Sequence, residues 1–306
     1  MLTGIVAGLA AGALWGLVFV APRMTPGLSS VDLAAGRFIS YGAVAALVML
    51  LTWRSHKLPT VRQAMAALGM SLLGFTGYYL LLVLAIQHAG TEVPTLIIGT
   101  IPIWAMLLGK PHGLKWSSLI PGLLLTSAGL VLMMHVMSAS QPVVAGHAGT
   151  HFWWGVLLAV AATVCWTAYA ILNTAWLKRH PEVNATEWAN WLGVATGVGA
   201  VILWLVAGSS SKELLAPDNI AWTAIILIAI GVGSAWLATI LWNMASQRLS
   251  ASLCGQMIVS ETLFALIYSY AWDRQWPSAI PLLACVCFIL GILASIRAHR
   301  QPADAV

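Results

Sequence analysis

Long apolar stretches alternate with short polar breaks along the whole chain. The apolar runs fall at roughly 3–22, 31–53, 62–87, 92–109, 116–135, 152–177, 186–207, 219–244, 250–271 and 278–297. None shows the period-two alternation of a half-buried strand, and most are far too long for one. In hydrocarbon every backbone N–H and C=O must be paired within the chain, which leaves helices and closed barrels. The runs are therefore predicted as helices. A helix crossing a hydrocarbon core about 30 Å thick needs roughly 20 apolar residues, and the runs match that length.

The punctuation agrees. Pro22, Pro26 and Gly27 follow the first run, His56 and Pro59 lie in the second break, and Pro111, His112 and Gly113 separate the fourth run from the fifth. Pro181 ends the sixth run, Pro217 precedes the eighth, and Pro277 opens the tenth, where a proline is tolerated. The longest break, 136–151 (VMSASQPVVAGHAGTH), is polar enough to link two halves. The opening MLTGIVAGLA lacks the basic lead-in of a cleaved signal peptide, so it is expected to form the first helix.

Composition sharpens the reading. Only 8% of residues are charged and the mean hydropathy is +0.89, whereas a soluble chain carries roughly 25% charged residues. Most of this surface must face lipid. The net charge of +5 does not point to nucleic acid, because the basic residues stand singly or in pairs in the breaks, as topogenic charges do. Arg54, Lys57, Arg62, Lys110, Lys115, Lys178, Arg179, Arg248, Arg297 and Arg300 fall on one side of the alternating spans, and Arg23, Lys212 and Arg274 on the other. The positive-inside rule then places both termini in the cytoplasm. Cys165, Cys254, Cys285 and Cys287 lie inside apolar runs without CxxC spacing, which suits helix packing rather than metal or redox chemistry.

The two halves resemble each other. Trp15 and Trp166 lie midway along the first and sixth runs. Thr91-Glu92-Val93-Pro94-Thr95 leads into the fourth run as Ser250-Ala251-Ser252 leads into the ninth, with Pro102 and Glu261 in matching places. Five being odd, two such halves enter the membrane in opposite senses, the inverted-repeat plan of secondary transporters. The expected fold is an all-α membrane protein of ten transmembrane helices in two inverted five-helix repeats. The expected parts are a first repeat over 1–140, a linker over 141–151, a second repeat over 152–298 and a cytoplasmic tail over 299–306.

AGALWGLVFV in the first helix, Gly36-Arg37-Phe38 in the second, LAIQHAG before the short fourth and SETLFALIYS in the ninth resemble the drug/metabolite transporter superfamily with its EamA-type repeats. Within it the chain is most similar to the YddG-type exporters of aromatic and other amino acids. Thr262 follows Glu261 where many members carry proline, a departure from the pattern. The resemblance implies export of amino acids, aromatic and other neutral ones, across the cell inner membrane.

Candidate chemistry was sought among polar and aromatic residues inside the spans. Trp15, Trp104, Trp166 and Trp236 fall mid-span, where an indole facing lipid wastes its N–H donor. Trp53, Trp116, Trp153, Trp154, Trp188, Trp222, Trp272 and Trp276 fall near span ends, as interfacial anchors do. Trp166, Tyr169 and Asn173 share a helix face, as do Trp236 and Asn243, Gln256 and Ser260, and Thr100 and Trp104. With Tyr78 and Tyr79 these outline an aromatic, uncharged substrate site. Glu261, midway along the ninth span, is the candidate for proton coupling. Arg37 is the basic residue set within a span and either meets substrate or snorkels to the headgroups. Gly4, Gly8, Gly12 and Gly16 give the first helix one bare face for close helix approach.

Phosphate-bearing substrates fit poorly, since Arg37 alone could meet the anion. Hydrophobic or cationic drugs and metabolites are the alternative cargo, and a structural or receptor-like membrane protein is the reading from another class. No HExxH, GxSxG or GxxxxGK[ST] motif is present, so neither an enzyme, a resident cofactor or metal, nor ATP-driven pumping is expected.

Overall fold

The structure, a computed structural model, describes residues 1–52, 54, 58–140, 150–209 and 220–300. These residues form helices joined by short turns, with no strand among them. Among the described residues nine helices are long and apolar enough to cross a membrane, and Val93–Leu108 is a shorter apolar helical segment. In chain order the helical segments are α1 (Leu2–Gly16), α2 (Ser30–Thr52), α3 (Val61–Gly74 and Thr76–Ala89), α4 (Glu92–Gly99 and Ile101–Leu108) and α5 (Trp116–Ser140). They continue with α6 (Thr150–Arg179), α7 (Ala185–Ala207), α8 (Ile220–Ile230, Gly231–Leu237 and Ala238–Arg248), α9 (Ala251–Asp273) and α10 (Ala279–Arg300).

Local chemistry sets the starts. Thr60 and Gln63 form a reciprocal capping box at α3, and Asn184 and Glu187 do the same at α7. Ser250 caps α9 by accepting from the Leu253 N–H at 3.2 Å.

Four of the expected runs depart from simple helices. The first ends at Gly16 and continues as a 3-10 turn and a short helix, Ala21–Met24, that contains Pro22. The third is interrupted at Phe75 (φ −131°, ψ −89°), and the fourth at Thr100, where Pro102 can begin a new helix because it lacks the N–H a continuing helix would need. The eighth contains a π turn over Gly231–Leu237 and runs on to Arg248. Such interruptions are invisible to hydropathy, which records apolarity and not hydrogen-bond register. Helix also reaches Ser140 and resumes at Thr150, inside the expected linker; the rest of that linker and the 301–306 end of the expected tail lie outside the described residues.

Packing follows one rule. The main pairings are α2 with α7, α3 with α6, α5 with α10, α1 with α8, α1 with α9, α2 with α8, α4 with α6, α4 with α9 and α3 with α7. Exchanging each helix for the one five places along returns the same set. The closest approaches use glycine. A Cβ on Gly42 would come within 2.6 Å of Gly197 Cα, and one on Gly16 within 2.8 Å of the Ala265 nitrogen. Gly4, Gly8, Gly12 and Gly16 are all buried, against Leu249, Met257, Ser260 and Phe264 respectively. The bare face of α1 is thus packed against α9 and the end of α8, where small residues let backbones meet. At the far end of α1, Arg23 pairs with Asp273 at 3.1 Å, so the turns after α1 and α9 lie together.

Candidate functional site

Aromatic rings form a continuous wall through the bundle. Phe38 of α2 meets Phe75 at 6.0 Å between ring centres, Phe75 meets Tyr169 at 5.4 Å, and Tyr169 meets Trp166 at 5.9 Å. Trp166 meets Trp15 at 6.3 Å, and Trp242 stands against both, 5.3 Å from Trp15 and 6.0 Å from Trp166. The interruption at Phe75 makes this possible: Gly74 leaves the space that the Tyr169 ring occupies. The expected residues Trp15, Tyr78, Tyr79, Trp166 and Trp236 all pack against the main apolar core while keeping part of their surface accessible. Tyr169 is fully buried in the same wall.

The polar candidates divide. Asn173 Nδ2 donates to Asn243 Oδ1 at 3.1 Å, and Trp188 Nε1 donates to Asn173 Oδ1 at 2.7 Å. Asn243 Nδ2 donates to the Ala185 carbonyl at 3.3 Å. Both asparagines have no exposed surface, so this arrangement ties α6, α7 and α8 together. Gln256 is equally buried. Its Nε2 donates to Thr126 Oγ1 at 3.0 Å and its Oε1 accepts from Ser295 Oγ at 3.2 Å, tying α9 to α5 and α10. Ser260 Oγ donates to the Met257 carbonyl within its own helix.

Two expectations about tryptophan change. Trp104 is 48% exposed and is not among the residues packed on the main core. A mid-span indole does not need a cavity to use its donor: Trp104 Nε1 donates to Thr100 Oγ1, one turn earlier, at 3.1 Å. Trp188, expected at an interface, is fully buried and stacked on Trp176 with ring centres 3.7 Å apart. Its N–H has found a partner in Asn173, so it does not need headgroups. Trp116, Trp153, Trp154, Trp222, Trp272 and Trp276 are exposed as expected, while Trp53 lies outside the described residues.

Glu261 lies where α1 backs onto α9; a Cβ on Gly12 would come within 3.0 Å of its backbone nitrogen, and Trp15 follows Gly12 by less than one turn. Arg37 lies within electrostatic reach of Tyr78, Tyr79 and Glu261, and Tyr78 within reach of Glu261. All four side chains are only partly buried, so each keeps some accessible surface. The Arg37 guanidinium carbon lies 4.8 Å from the Phe38 ring centre, and its buried Nε has no hydrogen-bond partner. Asp32, the acidic residue of the same helix, is taken up elsewhere. It accepts from Ser29 Oγ and, at 3.0 Å, from the Ser209 N–H. The Glu92 side chain lies outside the described residues.

Two residues are not found by spacing. Trp242 lies beyond the π turn, which adds a residue to the helical register and so spoils spacing counts from Trp236. Arg37 and Glu261 are far apart in the sequence, so no helical spacing joins them. Among the described residues no group of His, Cys, Asp and Glu could hold a metal ion.

Comparison with known proteins places this architecture. A solved crystal structure, described only as that of a protein, superposes with a TM-score of 0.75 at 20% identity over 96% of this chain and 98% of its own, a likeness of fold. The inner membrane protein YtfF of Escherichia coli (strain K12) is 30% identical over 318 residues, covering 98% of this chain and 97% of its own length. The model of the EamA-like transporter family matches twice, over residues 2–135 and 153–297. With nearly its whole length matched and its apolar helices packed as a multi-pass bundle, the chain belongs to the EamA-like transporter family.

Proposed function

We propose that this protein is a secondary transporter of the cell inner membrane that exports amino acids, aromatic and other neutral ones, by alternating access. Two five-helix halves, 1–140 and 152–298, stand in opposite orientations with both termini cytoplasmic. The symmetric helix pairing supports the two repeated halves, and the likeness to YtfF, an inner membrane protein, supports the location. Trp15, Tyr78, Tyr79, Trp166 and Trp236 wall the substrate site, with Tyr169 and Trp242 behind them. The asparagine and glutamine locks hold the helices that carry these rings. Glu261 is the group through which a proton could be exchanged for substrate.

One observation carries the reading: partly accessible aromatic and charged side chains from both halves converge inside the bundle. A flat apolar body beside opposite charges is the chemistry of an aromatic amino acid. Organic cations would find Glu261 and the indoles, but they would also meet the Arg37 guanidinium, which disfavours them. Counterflow of labelled amino acids in proteoliposomes, with and without a pH gradient, tests the proposal. Accumulation of labelled aromatic amino acids is expected. Liposomes that behave as protein-free ones towards every amino acid would overturn it.

A further inference from the structure

Arg37 and Glu261 are opposite charges from opposite halves of the chain, on α2 and α9, set inside a membrane bundle. Each senses the other's field, and no ion pair joins them. Opposite charges attract more strongly as water is excluded, and an intramembrane charge without a partner is costly. The buried Arg37 Nε nevertheless has no hydrogen-bond partner, and backbone contacts fix where each residue sits. The α8 π turn grips α2 at this level, where a Cβ on Gly231 would come within 2.8 Å of the Arg37 carbonyl oxygen. On the other half, Gly12 sets α9 against α1 at Glu261.

We infer that Arg37 and Glu261 are the two jaws of a clamp for a zwitterion: the Arg37 guanidinium takes an α-carboxylate and the Glu261 carboxylate takes the α-ammonium of the same molecule. The planar guanidinium matches a carboxylate through two parallel N–H donors, and the carboxylate accepts from the ammonium. Tyr78 stands within the field of both charges and adds a hydroxyl to the polar end, while the ring wall that begins at Phe38 takes the side chain. The assignment rests on the amino-acid reading above and deepens it. It also makes the zwitterion the object that ties the two halves together. A ligand bridging α2 and α9 favours whichever conformation lets both jaws close, and that difference in affinity is what drives a change of state.

A ligand with one charge leaves the other jaw unpaired inside the protein. In the wild-type protein, unlabelled phenylalanine should therefore compete with labelled phenylalanine at least about tenfold better than phenethylamine or 3-phenylpropionate. Glu261→Gln should weaken phenylalanine and phenethylamine by about tenfold or more and leave 3-phenylpropionate nearly unchanged. Arg37→Gln should do the reverse, weakening phenylalanine and 3-phenylpropionate while sparing phenethylamine. A merely structural pair would lower all three ligands together. Equal competition by all three in the wild type, or a uniform loss in both variants, would overturn the clamp. Should either variant fail to fold, the wild-type ranking decides the matter. Thermal stabilisation of the purified protein by the same three compounds reads the clamp without transport. A missing flux with phenylalanine-selective stabilisation would therefore overturn the transport reading and support the clamp.

Discussion

Two polar regions are built into this bundle, and they treat their hydrogen-bonding groups in opposite ways. Around Asn173, Asn243 and Trp188 the amide and indole groups find protein partners at 2.7 to 3.3 Å, and the three side chains have no accessible surface. Around Arg37 and Glu261 the charges reach each other's field without touching, and part of their surface is accessible. Buried polar groups are nearly always satisfied, because an unmade bond costs the full desolvation of the group. A saturated network is therefore scaffold: it fixes which helix faces which. Charges held apart with open surface retain capacity for something else, and in a transporter the natural claimant is cargo. The difference separates the residues that shape the site from those that meet the ligand.

The severest way to break this comparison is to separate α2, which carries Arg37, from α7, which carries Trp188. Gly42→Leu would drive a side chain into Gly197, where a Cβ would already come within 2.6 Å of backbone. Backbone cannot swing aside as a side-chain tip can, so the expected cost is about 3 kcal/mol or more, with most of the monodisperse protein lost on size-exclusion chromatography.

Asn173→Leu should rank second. It removes the acceptor of the Trp188 N–H and the donor to Asn243, at about 1–3 kcal/mol in total. The melting temperature should fall, and the ranking of competing ligands should stay as in the wild type. A changed ranking at unchanged stability would move Asn173 from scaffold to ligand contact. The smallest effect belongs to Arg23→Gln. Its pair with Asp273 is 41% and 43% exposed, so about 0–1 kcal/mol is at stake, and neither melting temperature nor transport should change measurably.

Much of the scaffold was legible in the sequence and little of the division within the site. The ten apolar runs, the glycine face of α1 and the exposed tryptophans at span ends follow from length, spacing and composition. The breaks at Phe75 and Thr100 and the π turn at Gly231–Leu237 do not, because they are set by packing against rings and neighbouring helices. The same limit governs the polar residues. Asn173 and Glu261 both read as polar groups in an apolar run, and only their neighbours distinguish a satisfied amide from an open charge. Trp104 shows the reverse case. Its Thr100 partner lies four residues earlier on the same face, a spacing that fits shared cavity lining and a bond between the two side chains equally well.

The central claim is that the protein encloses an accessible site flanked by saturated, closed contacts. Single cysteines placed at Tyr78 and at Asn173, in a background without Cys165, Cys254, Cys285 and Cys287, test it when the protein sits in lipid and meets a small polar thiol reagent. Tyr78→Cys is expected to be modified and to be protected by an added aromatic amino acid, while Asn173→Cys stays unmodified. Modification of the Asn173 position, with the Tyr78 position inert, would contradict it.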